Sequence, residues 1–217
     1  MKKVAVILAG CGNLDGSEIT EAVSALIALT ELGAQVTCFA PSIDFQTKSY
    51  PGLESPSVTR NTLIEAARIA RGKIHNLNEL NQKEFDALVI PGGYGAATHL
   101  SSFASQGSKA KILPDLQKII MEFHGASKPI GAICIAPSLL ALALGQENVN
   151  VTIGNDADTA SELERTGAHH SQCLVNDYIS DRDHKVLTTP AYMYGNASSF
   201  EVFTGIRKMI QELVEMA

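Results

Sequence analysis

The sequence predicts an α/β domain: a mostly parallel sheet with helices packed on both faces and one small antiparallel hairpin. Short runs rich in valine, isoleucine and leucine alternate with helix-period segments nearly to the end of the 217 residues. The strand-like runs are apolar throughout instead of alternating, as expected of strands buried on both faces. Glycine or other small residues follow several of them directly, as in Val6-Ile-Leu-Ala-Gly10 and Val89-Ile-Pro-Gly-Gly93. Strands are expected at 3–9, 35–40, 87–90, 129–134 and 186–189, and helices at about 18–32, 59–70, 113–125, 137–144, 159–166 and 198–214. Residues 41–57, rich in proline and serine and without periodicity, read as a surface insertion. Residues 171–185, with the polar run Asp181-Arg-Asp-His184 between two strand-like pieces, read as an antiparallel hairpin on the sheet. One domain spanning 1–217 accounts for the length, with no repeat and no low-complexity tract.

Composition narrows the function classes. The net charge of −6, with basic residues scattered, gives no footprint for nucleic acid or anionic lipid. Four cysteines, at 11, 38, 134 and 173, have neither the close pairing of a zinc site nor the density of a disulfide scaffold, and a reducing cytoplasm suits them. The apolar start of the chain is short and ends in a glycine loop, so it reads as a first buried strand and not as a signal peptide.

In an open α/β sheet, ligands bind beyond the carboxyl ends of the strands, which directs attention to three loops. These are Gly10-Cys-Gly-Asn-Leu-Asp-Gly-Ser-Glu18, Pro91-Gly-Gly-Tyr-Gly-Ala96 and Cys134-Ile-Ala-Pro137, and they are expected to converge on one pocket. Cys134 falls between an apolar strand and an apolar helix, with Ala132 and Ala136 two positions away on either side, the steric pattern of a nucleophile elbow. Pro137 suits a first helical turn. A thiol at a helix N-terminus meets unpaired N–H groups and the positive end of the dipole, so a lowered thiol pKa is expected. A buried structural cysteine is the competing explanation. The amides of Gly93 and Ile135 are candidate oxyanion donors. Glu18, where the first loop enters a helix, is the candidate general acid or base; equally, Asp15 and Glu18 have capping-box spacing. Cys11 in the first loop is a further candidate binding residue. Asn61, Glu65 and Arg68 share a helix face that either surface pairing or ligand contact explains. Gly10-Cys-Gly-Asn-Leu-Asp-Gly16 is one residue too long for a dinucleotide fingerprint, and no histidine or carboxylate set has metal spacing, so neither cofactor nor metal is expected. Of His169 and His170, neighbours in a strand, at most one could face any site.

These loops, together with Thr59-Arg-Asn-Thr-Leu-Ile-Glu-Ala-Ala-Arg-Ile-Ala-Arg-Gly72 and Thr188-Thr-Pro-Ala-Tyr-Met193, resemble the PfpI-type branch of the class I glutamine-amidotransferase-like superfamily. The ElbB family, associated with isoprenoid biosynthesis, is the most similar. The resemblance spans essentially the whole chain. It implies a flavodoxin-like three-layer sandwich, a nucleophilic Cys134, a pocket glutamate at Glu18, often a homodimer, and glutathione-independent glyoxalase activity on a small aldehyde substrate, converting glyoxal to glycolate and methylglyoxal to lactate. Two departures limit it. Glutaminase members carry His-x-Glu where this chain reads Thr189-Pro-Ala-Tyr192, and protease-like members carry histidine where Ile135 stands. Ammonia release from glutamine and peptidase activity are therefore not expected. A non-catalytic binding or redox-sensing protein using the same cysteine is the alternative.

Overall fold

The computed structural model describes residues 1–217. Along the chain run β1 (Lys3–Ile7), α1 (Ile19–Glu31), β2 (Gln35–Ala40), β3 (Asp44–Gln46), β4 (Thr59–Asn61), α2 (Thr62–Ile69), β5 (Ile74–Asn76) and β6 (Ala87–Ile90). There follow α3 (Tyr94–Thr98), α4 (Phe103–Gln106), α5 (Pro114–Gly125), β7 (Ile130–Ile133), α6 (Pro137–Leu144), β8 (Asn150–Val151), α7 (Ala157–Glu164), β9 (His169–His170), β10 (Ile179–Asp181), β11 (Val186–Thr189) and α8 (Ser199–Met216). Seven strands form the main sheet in the order β10-β11-β7-β6-β1-β2-β5. Every pairing in it is parallel except β10 with β11.

Because side chains alternate along a strand, the all-apolar strands feed two cores at once. Ala5, Ile7, Leu88, Ile90, Ile130 and Ala132 pack under α3, α5 and α6. Val4, Val6, Leu8, Ala87, Val89 and Leu187 pack under α1 and α8. A three-layer sandwich results. Burying both faces requires both helical layers, which is why this sheet is parallel and its helices are amphipathic. The longest helix, α8, opens with a capping box in which the Ser198 N–H donates to Glu201 Oε2 (2.9 Å) and the Glu201 N–H to Ser198 Oγ (3.3 Å).

Several boundaries differ from the sequence expectations. The helix expected from residue 59 begins at Thr62, because Thr59–Asn61 pairs antiparallel with Asp44–Gln46 across the insertion. The insertion is thus a hairpin, not an unstructured loop. The hairpin expected over 171–185 is reduced to β10 against β11, while His169–His170 joins a separate parallel pair with β8. The edge strand β5, three residues long, has too little pattern to be read from sequence.

Candidate active site

Cys134 directly follows β7 and has φ 62°, the left-handed region that a cysteine adopts only under constraint. Its N–H donates to the Thr189 carbonyl (2.9 Å), which holds the turn against β11, and Pro137 then opens α6. The strained elbow puts Cys134 at the floor of a cleft of about 1070 Å³ beyond the carboxyl ends of the strands. Glu18, Gly93, Tyr94, Ile135 and Tyr192 line the same cleft, and α7 forms the far wall.

The first and second loops are tied together by backbone hydrogen bonds: the Glu18 N–H donates to the Gly92 carbonyl (3.0 Å), Tyr94 N–H to Asn13 (2.8 Å) and Gly95 N–H to Gly16 (2.9 Å). Gly93, at φ 91°, presses so close to the first loop that a Cβ there would lie 2.4 Å from both the Glu18 nitrogen and the Gly16 oxygen. Glycine at 93 is therefore a packing requirement as well as a conformational one. The N–H groups of Gly93 and Ile135 act on the Cys134 thiol by lowering its pKa.

The carboxyl group that meets the thiol is Glu21, not Glu18. Glu18 is the N-cap of α1, its Oε2 accepting the Glu21 N–H at 2.7 Å, so its side chain is turned back onto the helix end. The capping geometry expected of Asp15 and Glu18 falls one turn later than their spacing suggests, and Asp15 instead accepts the Lys48 N–H (2.7 Å). Glu21, one turn into α1, is fully buried, and its Oε2 and the Cys134 Cβ both crowd the space beside Gly92. Its Oε2 accepts the Gly92 N–H (3.1 Å) and its Oε1 the Tyr192 N–H (3.2 Å). Four elements thus fix one carboxyl group against one thiol. Glu21 escapes a reading of the strand-end loops because it lies inside a helix, yet a signal exists. It shares the 3.6-residue stripe of Ala25, Ala28 and Leu29, where an acidic residue has no structural reason to be.

Burial is the main electrostatic influence. It raises the Glu21 pKa, with the Glu18 charge adding to it, to about 8, so Glu21 is chiefly a neutral carboxylic acid near pH 7. Burial first, and the Glu21 charge second, push the Cys134 thiol well above its ordinary value. The lowered thiol pKa expected from the helix terminus is therefore not found: two amide donors do not offset the loss of water around the sulfur. Ionised Glu21 therefore makes the Cys134 thiol harder to deprotonate.

The remaining sequence candidates lie outside the cleft. Cys11 is half-buried among Glu65, Arg68, Asp15 and Arg60. Glu65, buried, pairs with Arg60 and Arg68 at 3.1 Å each. Asn61 caps α2 by accepting the Leu63 N–H (3.1 Å), and its amide donates to Asp44 Oδ1 (2.8 Å). Helix capping and hairpin closure account for it without a ligand. Asn61→Ala should cost about 0.5–2 kcal/mol in chemical denaturation while leaving the Cys134 cleft unchanged. His99 contacts the Asp15 carbonyl (3.0 Å), His124 Glu147 (2.9 Å) and His184 Asp181 (2.8 Å), and no histidine lines the cleft. No group of metal-binding side chains occurs.

Comparison with known proteins gives the same architecture a family. Residues 2–189 match the DJ-1/PfpI family. The chain belongs to the DJ-1/PfpI family. Among its relatives, the rat mitochondrial ES1 protein homolog is 40% identical over 228 residues, covering 99% of this chain and 84% of that protein. The human mitochondrial glutamine amidotransferase-like class 1 domain-containing protein 3 is likewise 40% identical, covering 99% and 83%. The crystal structure of an isoprenoid biosynthesis protein with an amidotransferase-like domain from Ehrlichia chaffeensis superposes with a TM-score of 0.90 at 38% identity, covering 99% of this chain and 100% of that one. More distant family members, such as a DJ-1 superfamily protein of Agrobacterium tumefaciens (19% identity, TM-score 0.57, covering 100% and 92%), share the fold. Both mammalian relatives are mitochondrial by name, and no helix of this chain is long and apolar enough to cross a membrane.

Gly92 joins the Pro91–Gly93 turn to Cys134 and Glu21. A Cβ at this position would lie 2.5 Å from Cys134 Cβ, 2.6 Å from Glu21 Oε2 and 2.7 Å from the Ile133 oxygen. Gly92→Ala should therefore lower stability by about 1–3 kcal/mol, read as a drop in denaturation midpoint, because the three atoms have no room to retreat. An unchanged midpoint would mean that the loops are looser than their contacts indicate.

Proposed function

We propose that the protein is a cofactor-independent glyoxalase-type enzyme converting glyoxal to glycolate and methylglyoxal to lactate, with Cys134 as nucleophile and Glu21 as proton carrier. The supporting observation is the buried Glu21 carboxyl group, held by the Gly92 and Tyr192 amides beside the elbow cysteine. The Cys134 sulfur adds to the aldehyde carbon. A carboxyl group can give a proton from one oxygen and take one on the other, so Glu21 accepts the thiol proton while protonating the aldehyde oxygen, and the hemithioacetal forms without a histidine. The Gly93 and Ile135 N–H groups, positioned at the sulfur, stabilise charge on the oxygen beside it. Glu21 then moves the proton from the hemithioacetal carbon to the neighbouring carbonyl carbon by way of an enediol. The former aldehyde carbon reaches the thioester level, its neighbour becomes a carbinol, and no external oxidant or reductant is consumed. Water cleaves the thioester, releasing the hydroxy acid and the thiol.

A redox sensor would require an accessible thiolate of low pKa, and burial acts on Cys134 in the opposite direction. A reducing compartment, whether cytoplasm or the organelle in the mammalian relatives' names, would keep the thiol available. The test is glycolate formed from glyoxal, and lactate from methylglyoxal, by the reduced protein in amine-free buffer. Product formation no faster than in the absence of protein would dismiss the glyoxalase reading.

A further inference from the structure

The cleft is far larger than the aldehydes that the proposed chemistry consumes. Its volume of about 1070 Å³ stands at the top of the roughly 300–1,000 Å³ range that encloses ligands of drug size, whereas glyoxal is two carbons and two oxygens. Around Cys134 the space is closed by packing: the buried Glu21 and the Pro91–Gly93 turn leave no room for even one added carbon at Gly92 or Gly93. The cleft extends away from them, toward α4 and α7, which contribute Phe103, Gln106, Asp158 and Ser161 to its lining. That far wall is preformed. Glu162 of α7 accepts the Ser108 N–H (2.7 Å) in the turn after α4 and pairs with Arg165, and Asp156 caps α7 by accepting the Thr159 N–H (2.8 Å).

The chemistry of the lining decides which molecules suit this extension. Five of its residues keep polar groups free of any hydrogen bond within the protein: the Asn13 amide nitrogen and Tyr94 hydroxyl on the first two loops, and the Gln106 amide nitrogen, Asp158 carboxylate and Ser161 hydroxyl on α4 and α7. A hydrocarbon chain lying there would strip water from these groups and return nothing, whereas hydroxyl groups would replace it. Charge narrows the choice further. Glu18, Asp156, Asp158 and Glu162 are the acidic residues of the cleft and Arg165 the single basic one, already paired with Glu162, so a phosphate or carboxylate on the substrate would meet no free cation.

We propose that the substrate is a 2-oxoaldehyde with a neutral, polyhydroxylated chain several carbons long, its aldehyde at Cys134 and its chain along the cleft against α4 and α7. This assignment rests on the glyoxalase role of Cys134 and adds the substrate class. The reaction balances as it does for glyoxal: the aldehyde carbon is oxidised to the acid, its neighbour is reduced to a carbinol, and water supplies the added oxygen.

The test uses 3-deoxyglucosone, a six-carbon 2-oxoaldehyde bearing three hydroxyls, 2-oxohexanal, which has the same carbon skeleton length and none, and methylglyoxal. With each rate of hydroxy acid formation referred to the free aldehyde, kcat/KM for 3-deoxyglucosone should exceed both others by about tenfold to a hundredfold, the effect of two or three net hydrogen bonds. Gln106→Ala combined with Ser161→Ala should bring the ratio of 3-deoxyglucosone to 2-oxohexanal down toward one, with thermal unfolding verifying the fold. A parent that handles 3-deoxyglucosone no better than 2-oxohexanal, or a double variant that keeps the full preference, would overturn the proposal. Binding to Cys134→Ala, followed by calorimetry, separates recognition from chemistry. There, tighter binding of 3-deoxyglucosone than of 2-oxohexanal, with no hydroxy acid formed by the parent from any of the three, would keep the recognition of the hydroxylated chain and reject the glyoxalase reading. Methylglyoxal turnover with no preference for the hydroxylated chain would do the reverse.

Discussion

Cys134→Ala is expected to reduce glycolate formation from glyoxal to the uncatalysed rate while the protein stays folded. The thiol is the only group in the cleft that can form the hemithioacetal, and alanine removes the attacking atom with little loss of packed volume. The left-handed backbone at 134 is strained in either residue, so the fold is not expected to gain or lose much. Glu21→Gln in the same assay should slow turnover by roughly a hundredfold to ten-thousandfold, because an amide cannot take the thiol proton on one atom and return one from the other. The pattern matters more than either value. If Cys134 and Glu21 act as one unit, the double variant should be no slower than Cys134→Ala alone. Activity in Cys134→Ala equal to that of the parent would remove the cysteine from the mechanism.

How far the sequence reveals this site depends on which residues carry local signals. The parallel sheet and both helical layers are legible because each strand is apolar on both faces and each long helix is amphipathic over several turns, and the match to DJ-1/PfpI structures shows the same sandwich. Cys134 is legible because an elbow imposes small neighbours and a strand-to-helix change at one point. Glu21 is less so: nothing adjacent marks it, and its partners come from residues 92, 134 and 192, far apart in the chain. Glu18 stands at a loop end, a usual place for a functional carboxylate, and only the folded structure reveals the capping hydrogen bond that turns it back onto α1. The direction of the Cys134 pKa shift is hidden from the sequence for a related reason. A helix terminus can be read from sequence, but the depth at which the sulfur is buried depends on the packing of distant loops. Strands as short as β5 and β9 carry too few residues for a period to register.

Burying an acid that keeps its proton should leave a mark on stability as well as on catalysis. Glu21 has a pKa of about 8 in the folded protein against an ordinary value of 4.5 in the unfolded chain. Between those values the folded state holds a proton that the unfolded state has released, so stability falls as pH rises through this window. Below pH 4.5 both states are protonated and above pH 8 both are ionised, and there the contribution levels off. A displacement of this size corresponds to a loss on the order of a few kcal/mol across the window. Glutamine at 21 has nothing to titrate. It also sets an NH₂ group against one of the two amide donors, so Glu21→Gln should be the less stable protein at pH 5, by about 1–3 kcal/mol for the donor left without an acceptor. As pH rises the parent loses this advantage, and by pH 8.5 the gap should close or reverse. The measurement is the denaturation free energy of parent and variant at matched pH values; histidines and surface carboxylates titrate in both, so their difference isolates Glu21. A difference constant from pH 5 to 8.5 would mean that Glu21 titrates alike folded and unfolded, which would also remove the neutral carboxyl group that the proposed chemistry requires.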